Sequence, residues 1–149
     1  RDYWVLAPVS FDPERTWSID KWSDFVKDFL QKNPTVDLIA SGTRDQLVFL
    51  ESIKSGLGSL GGRFYLAVDL SIAQLAGIIR GSSGFIGLDS FSVHLAVALS
   101  KKAYCLVNSD LFYVPGLSQK KLVDGRSILP RLDNLNILDL NTTKADFWR

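Results

Sequence analysis

The chain has 149 residues, 46% of them hydrophobic and 22% charged, an ordinary composition for one α/β domain that can bury a core of its own. Its 17 basic and 16 acidic residues leave a net charge of +1, which argues against general nucleic-acid binding, and its single cysteine cannot build a disulfide framework. No apolar stretch approaches the roughly 18 residues that a membrane-spanning helix requires.

Strand and helix patterns alternate along the chain. Residues 3–7 form a compact apolar run, predicted as a buried strand, and residues 11–17 a polar loop. From Ile19 the period changes: Ile19, Trp22, Phe25, Val26, Phe29 and Leu30 recur three or four apart and make one apolar helix face. Ser18 is the expected N-cap, and Asn33-Pro34 the stop. A second strand is predicted over 35–40, a turn at Ser41-Gly42-Thr43, and a helix over 44–55 with Leu47, Leu50 and Ile53 inward. The third strand covers 63–68. Ser71 caps a third helix with Ile72, Leu75, Ala76 and Ile79 inside. A short strand over 84–88, an Ala-rich helix over 90–100 and a strand over 103–107 follow. Cys105, in that last apolar run, is expected to be a reduced core residue. Residues 108–134 are predicted as a long loop, 135–140 as a sixth strand and 144–149 as a helical turn or tail.

Strands separated by helices of this length imply parallel βαβ units and a Rossmann-like, doubly wound α/β sheet of five to six strands. Ligands of such sheets bind beyond the carboxyl ends of the strands. The segments that matter are therefore 10–17, 41–45, 69–71, 89–94 and 108–116.

Gly56-Leu57-Gly58-Ser59-Leu60-Gly61 matches a dinucleotide-binding glycine pattern, but it follows a helix and precedes a strand. A phosphate cradle needs the reverse order, so a connector is expected here. Asn141-Thr142-Thr143 fits a glycosylation acceptor pattern and is taken as chance. Asp89-Ser90-Phe91-Ser92-Val93-His94 is the strongest site signal, because it leaves a short strand and opens a helix whose first N–H groups are unpaired and suit an anion. Asp89 fits an N-cap as well as a ligand contact, and Ser90 and Ser92 offer hydroxyls. His94, the only histidine, lies about one turn in; it suits a diphosphate neighbour or a structural place in the helix. Arg15, followed by Thr16 and Trp17, carries a guanidinium suited to a diphosphate, or is a solvated loop charge. In Ser41-Gly42-Thr43-Arg44-Asp45, Gly42 permits close backbone approach, Asp45 suits ribose hydroxyls, and Thr43 fits a helix cap equally well.

Taken together these segments resemble glycosyltransferase family 9, the ADP-heptose:lipopolysaccharide heptosyltransferases, over roughly residues 3–110. Leu70-Ser71-Ile72-Ala73-Gln74-Leu75-Ala76, then residues 84–96, are similar to the family's helix, short strand and Asp-Ser/Thr-Gly-x-x-His pattern. Arg15-Thr16-Trp17 with Lys21-Trp22 is similar to its Lys/Arg-x-Trp segment, and Asn108-Ser109-Asp110 falls where it has a Gly-x-Thr-Asp loop.

The resemblance implies the carboxyl-terminal half of a GT-B fold that holds a nucleotide sugar, typically ADP-heptose. It places Asp89 on the sugar, the following amides and His94 at the diphosphate, and Arg15 where it neutralises the leaving phosphate. It implies an inverting enzyme without metal or other cofactor. The catalytic base is expected in an amino-terminal acceptor half absent here, so no catalytic residue is assigned in these 149 positions. A lipopolysaccharide-core or related glycan is the implied acceptor, and the setting is cytoplasmic, with peripheral association at the inner membrane open to the full-length enzyme. A chain that begins at Arg1 and holds no methionine is expected to be a fragment of a longer one. The residues leave two alternatives open: a transferase using another nucleotide such as a UDP-sugar, and a degenerate GT-B domain kept as a binding or scaffolding module. Phe91, standing where the family has glycine, favours the second; a side chain there is expected to crowd the phosphate and narrow the backbone's freedom.

Overall fold

The computed structural model describes residues 1–10, 13, 16–88 and 90–107, together with the backbone of 135–139. Six strands form one sheet: β1 (Asp2–Ala7), β2 (Val36–Gly42), β3 (Phe64–Val68), β4 (Gly84–Leu88), β5 (Ala103–Val107) and β6 (Leu135–Asp139). All pair in parallel in the order β3-β2-β1-β4-β5-β6. Among the described residues four α-helices connect them: α1 (Ile19–Lys32), α2 (Leu47–Gly56), α3 (Ile72–Gly81) and α4 (Phe91–Ala98). None of the described helices is long and apolar enough to cross a membrane.

The strands' two-residue period divides the apolar residues between two cores. Leu6, Leu38, Ala40, Phe64, Ile86 and Leu88 face α1 and α2, meeting Trp22, Val26, Leu30, Leu50 and Ile53. Val5, Ala7, Phe85, Ala103 and Cys105 face α3 and α4, meeting Ile79, Val93 and Ala96. With helices on both faces the sheet is doubly wound, as its alternating pattern predicts. Cys105 is buried and unbridged.

Local signals fix the ends of the helices. The Ser18 hydroxyl accepts the Lys21 N–H at 3.3 Å, and both the backbone N–H and Nδ2 of Asn33 donate to the Phe29 carbonyl to close α1. Ser71 accepts from the Gln74 N–H at 3.2 Å, while the Gln74 side chain accepts from the Ser71 N–H at 2.9 Å, a reciprocal cap on α3. At the amino edge of the sheet Arg63 donates to the carbonyls of Leu30 (2.9 Å), Asn33 (2.6 Å) and Val36, and its Nε lies 3.4 Å from Asp37. One guanidinium thus ties the end of α1 to the starts of β2 and β3.

Three expectations are corrected. Ser41 and Gly42 are not a turn; they stay in β2, paired with Ala67 and Val68. The segment that follows is a 3-10 turn over Arg44–Gln46 before α2 begins. Ile72, expected inside, is 66% exposed, because α3 starts at the sheet's carboxyl edge and its first residue overhangs the core. Leu75, Ile78 and Ile79 pack instead. The glycine-rich decoy lies at the opposite edge, where Gly58–Arg63 form a 3-10 connector between α2 and β3.

Gly84 provides a test of packing. A Cβ there would lie 2.6 Å from the indole of Trp4, which is held at 5.8 Å centroid distances by Phe29 and Tyr104. Gly84→Ala should therefore destabilise the domain by about 1–3 kcal/mol, seen as a lower urea midpoint at unchanged slope. An unchanged midpoint would mean that Trp4 repacks freely.

Candidate functional site

The order 3-2-1-4 reverses the winding between β1 and β4, so the connections leaving these two strands part and open a crevice. The structure holds a cavity of about 560 Å³ there, within the range of small-ligand sites. Ala7, Val9 and Ser10 line it from the end of β1; Ser41, Gly42, Thr43 and Gln46 from the end of β2; Ala67 and Leu70 from the end of β3. Leu75 of α3 and Ser90, Phe91 and Ser92 at the start of α4 complete it. Among these described residues none is charged. The wall combines the hydroxyls of serine and threonine and the Gln46 carboxamide with apolar side chains from Ala7 to Phe91.

The start of α4 is the polar end of the crevice. Ser90 is the N-cap residue, extended at φ −155° and ψ 173°, and its hydroxyl makes no capping bond.

 The N–H groups of Phe91 and Ser92, in the first turn, thus meet no side-chain cap among the described residues, whereas α1 and α3 are both closed by serine side chains. Phe91 is 55% exposed on the crevice wall. It is the first residue of a regular helix, and among the described residues only Asp69 and Ser100 are non-glycines at positive φ. The backbone at position 91 thus asks nothing of glycine, contrary to the expected restriction, and only the side chain's volume is new.

At the other end, Gly42 makes room for a neighbour. A Cβ on it would lie 2.8 Å from Gln46 Oε1 and 3.1 Å from Leu50 Cδ1. Gln46 folds back so that Oε1 accepts the Thr43 N–H at 3.0 Å. Beside it, Asp69 takes the left-handed conformation at φ 54° and accepts from both the Arg44 N–H (2.8 Å) and Arg44 Nε (2.6 Å). That fork joins the ends of β2 and β3 at the rim.

Of the residues singled out in the sequence, Gly42, Ser90, Phe91 and Ser92 come together around the crevice. Thr16 stands one bond away: its hydroxyl accepts the N–H of Ser10, a lining residue, at 3.1 Å. Trp17 packs on Trp22 and Phe25 of α1, which anchors the returning loop. Asp45 and His94 are exposed and are not among the lining residues. Arg15 and Asp89 lie outside the described residues. Ser10 and Thr43 fall in the segments expected at the crevice without being singled out as site residues, and Gln46 lies outside those segments, although Thr43-x-x-Gln46 is a readable capping pattern.

A doubly wound parallel sheet with a crevice at its switch point defines a Rossmann-like α/β domain. The chain belongs to glycosyltransferase family 9, the heptosyltransferases, whose family model matches residues 1–110. Among solved structures it is similar to Escherichia coli ADP-heptose lipopolysaccharide heptosyltransferase II (TM-score 0.74, 15% identity, 97% of this chain and 40% of that one). It is also similar to E. coli heptosyltransferase WaaC bound to ADP-2-deoxy-2-fluoro heptose (0.66, 14%, 92% and 36%) and to a family 9 glycosyl transferase from Veillonella parvula (0.68, 13%, 99% and 36%). The chain thus spans about two fifths or less of these structures' length, and at such identities the likeness establishes the fold. No curated protein matches the sequence significantly.

The Asp69 rim pair makes a pH-dependent contribution. The hydrogen bond from Arg44, with its positive charge, holds the Asp69 carboxyl below its ordinary range. A carboxyl whose folded pKa is lowered stabilises the fold above its unfolded value, about 4, and that contribution is lost as pH falls through the folded pKa. Asn tolerates the same backbone conformation. Asp69→Asn should therefore lower the melting temperature slightly at neutral pH, with the gap from wild type closing in acid below about pH 4. A gap independent of pH would show that charge plays no part.

Proposed function

We propose that this chain is the nucleotide-sugar-binding half of a two-domain GT-B glycosyltransferase, with ADP-heptose as donor and a lipopolysaccharide-core or related glycan as acceptor. One observation carries the reading: in a family 9 domain, the start of α4, without a side-chain cap among the described residues, opens on a hydroxyl-lined crevice at the sheet's switch point. Backbone N–H groups there are donors already aimed at an anion, and they need no reorganisation when charge develops on it. The Ser90 and Ser92 hydroxyls supplement them. Arg15, next in sequence to the Thr16 that bonds Ser10, is assigned to the same diphosphate, and Asp89 to the donor sugar. His94 is assigned a place beside the phosphates. The choice of ADP is supported by the WaaC structures, which hold ADP and an ADP-heptose analogue.

In an inverting transfer, an acceptor hydroxyl attacks the anomeric carbon as the bond to the diphosphate oxygen breaks, and a base takes the hydroxyl's proton. This chain's share is to bind the donor and stabilise the departing diphosphate. The base and the acceptor site are assigned to the other half, and the full enzyme works in the cytoplasm, at the inner membrane where its acceptor is built. A second reading, a binding module without transferase activity, is favoured by Phe91, whose ring occupies the crevice wall beside the open amides.

Isothermal titration of residues 1–149 with ADP, UDP and adenosine tests the assignment. ADP should bind best, and Arg15→Ala should weaken ADP by about tenfold or more, about 1.4 kcal/mol, while changing adenosine little. Preference for UDP would move the reading to another donor, and binding of neither would overturn it. Phe91→Gly separates the second reading: a gain of about tenfold in ADP affinity would mean that the ring blocks the site. With ADP-heptose and a core acceptor the chain alone should give no transfer, and robust turnover would place the base within it.

A further inference from the structure

We infer that Thr16 is a positioning residue that sets where Arg15 meets the ligand, a role that rests on the nucleotide-sugar reading above. Thr16 makes two bonds at once. Its backbone N–H donates to the Pro13 carbonyl at 3.1 Å, which closes a turn over positions 13–16 with Arg15 third in sequence. Its hydroxyl accepts the Ser10 N–H at 3.1 Å. Ser10 stands three residues past Ala7, the last residue of β1, and lines the crevice. One residue thus closes the turn through its main chain and ties it to the crevice wall through its side chain. Consecutive Cα atoms are about 3.8 Å apart, so fixing Thr16 fixes the point from which the Arg15 side chain sets out.

The chemistry of the side chain suits this task. β-Branching leaves threonine few rotamers, so its oxygen stays where the Ser10 N–H needs it. The hydroxyl is also a neutral acceptor. An aspartate here would accept the same N–H but would draw the neighbouring guanidinium to itself, whereas threonine leaves that charge to an anion. Hydrogen bonds from a guanidinium to a phosphate depend steeply on geometry, so the starting point of the side chain matters. The next residue divides the labour. The Trp17 ring lies 4.7 Å from that of Trp22, which is fully buried, and 5.9 Å from that of Phe25. Ser18 then caps α1. Trp17 therefore fastens the chain to the core whether or not the Thr16 hydroxyl is present. The bond to Ser10 adds nothing to that core; it decides how the turn before it stands against the crevice.

A double-mutant cycle separates placement from structure. Thr16→Val keeps the branched shape and removes the acceptor; Thr16→Ser keeps the acceptor; Thr16→Ala is a second variant without it. Each is made alone, and Thr16→Val and Thr16→Ala also together with Arg15→Ala. Affinities for ADP or UDP, whichever the wild type binds more tightly, and for the matching nucleoside are measured calorimetrically, with a melting curve for each protein. Thr16→Val and Thr16→Ala should weaken the nucleoside diphosphate about fivefold or more and the nucleoside little, while Thr16→Ser binds as the wild type does. In the Arg15→Ala background the same substitutions should cost less than about twofold, because no guanidinium remains to be placed. A loss undiminished in that background, or no loss at all, would overturn this inference and leave the nucleotide reading standing. An equal loss for the nucleoside would overturn it too, since Thr16 would then shape the crevice and not place a charge. If Arg15→Ala left the nucleoside diphosphate affinity unchanged, or the wild type bound neither nucleotide, the diphosphate assignment of Arg15 would fall and this inference with it.

Discussion

All six strands run the same way, and the rest of the structure depends on that constraint. A parallel strand can be followed by another only after the chain has returned along a helix, so every helix begins at the edge where strands end. The carboxyl edge therefore collects strand ends, helix starts and their unpaired N–H groups, while the amino edge receives only helix ends and strand starts. The two edges are finished differently. At the amino edge Arg63 satisfies three carbonyls and faces Asp37, a closed arrangement. At the carboxyl edge a cavity remains, and the Ser90 hydroxyl at the start of α4 makes no capping bond. The edge that holds the structure together and the edge that can hold a ligand are thus physically separate, and changes at the second can spare the first.

The periodicities made most of the fold legible. The three- and four-residue spacing of Trp22, Phe25, Val26, Phe29 and Leu30 places one face of α1 in the core, and those residues are buried there. Ser18, Ser71 and Asn33 stand at the ends of the helices they were expected to close, because capping is a local interaction of a few neighbouring atoms. The glycine-rich run at 56–61 could be set aside on order alone, since the strand and helix flanking it are in the wrong sequence for a phosphate cradle.

What was not legible depends on distant partners. Ser41 and Gly42 have the chemistry of a turn, yet the neighbouring strand β3 keeps them extended by pairing with them. Ile72 fits the helical period but lies beyond the last strand residue that could cover it. The crevice has the same character. Gly42, Ser90, Phe91 and Ser92 could be singled out from their segments, but Ser10 and Gln46 become wall residues only when β1 and β2 lie side by side. Thr16 is the intermediate case: its position in the motif is readable, while its bond to the Ser10 N–H is a product of how the loop returns.

Phe91 shows how a departure from a family pattern is weighed once the backbone is known. Glycine can be required for a left-handed dihedral, for close approach, or for neither. The first does not apply, since residue 91 opens a regular helix. A phenylalanine there keeps its N–H, which proline would remove, so the donors at the start of α4 survive the substitution. What changes is the wall above them. An aromatic ring on that wall narrows the space for a bulky ligand. The two proposed readings therefore share the backbone donors at the start of α4 and differ in what fits beside the ring at position 91.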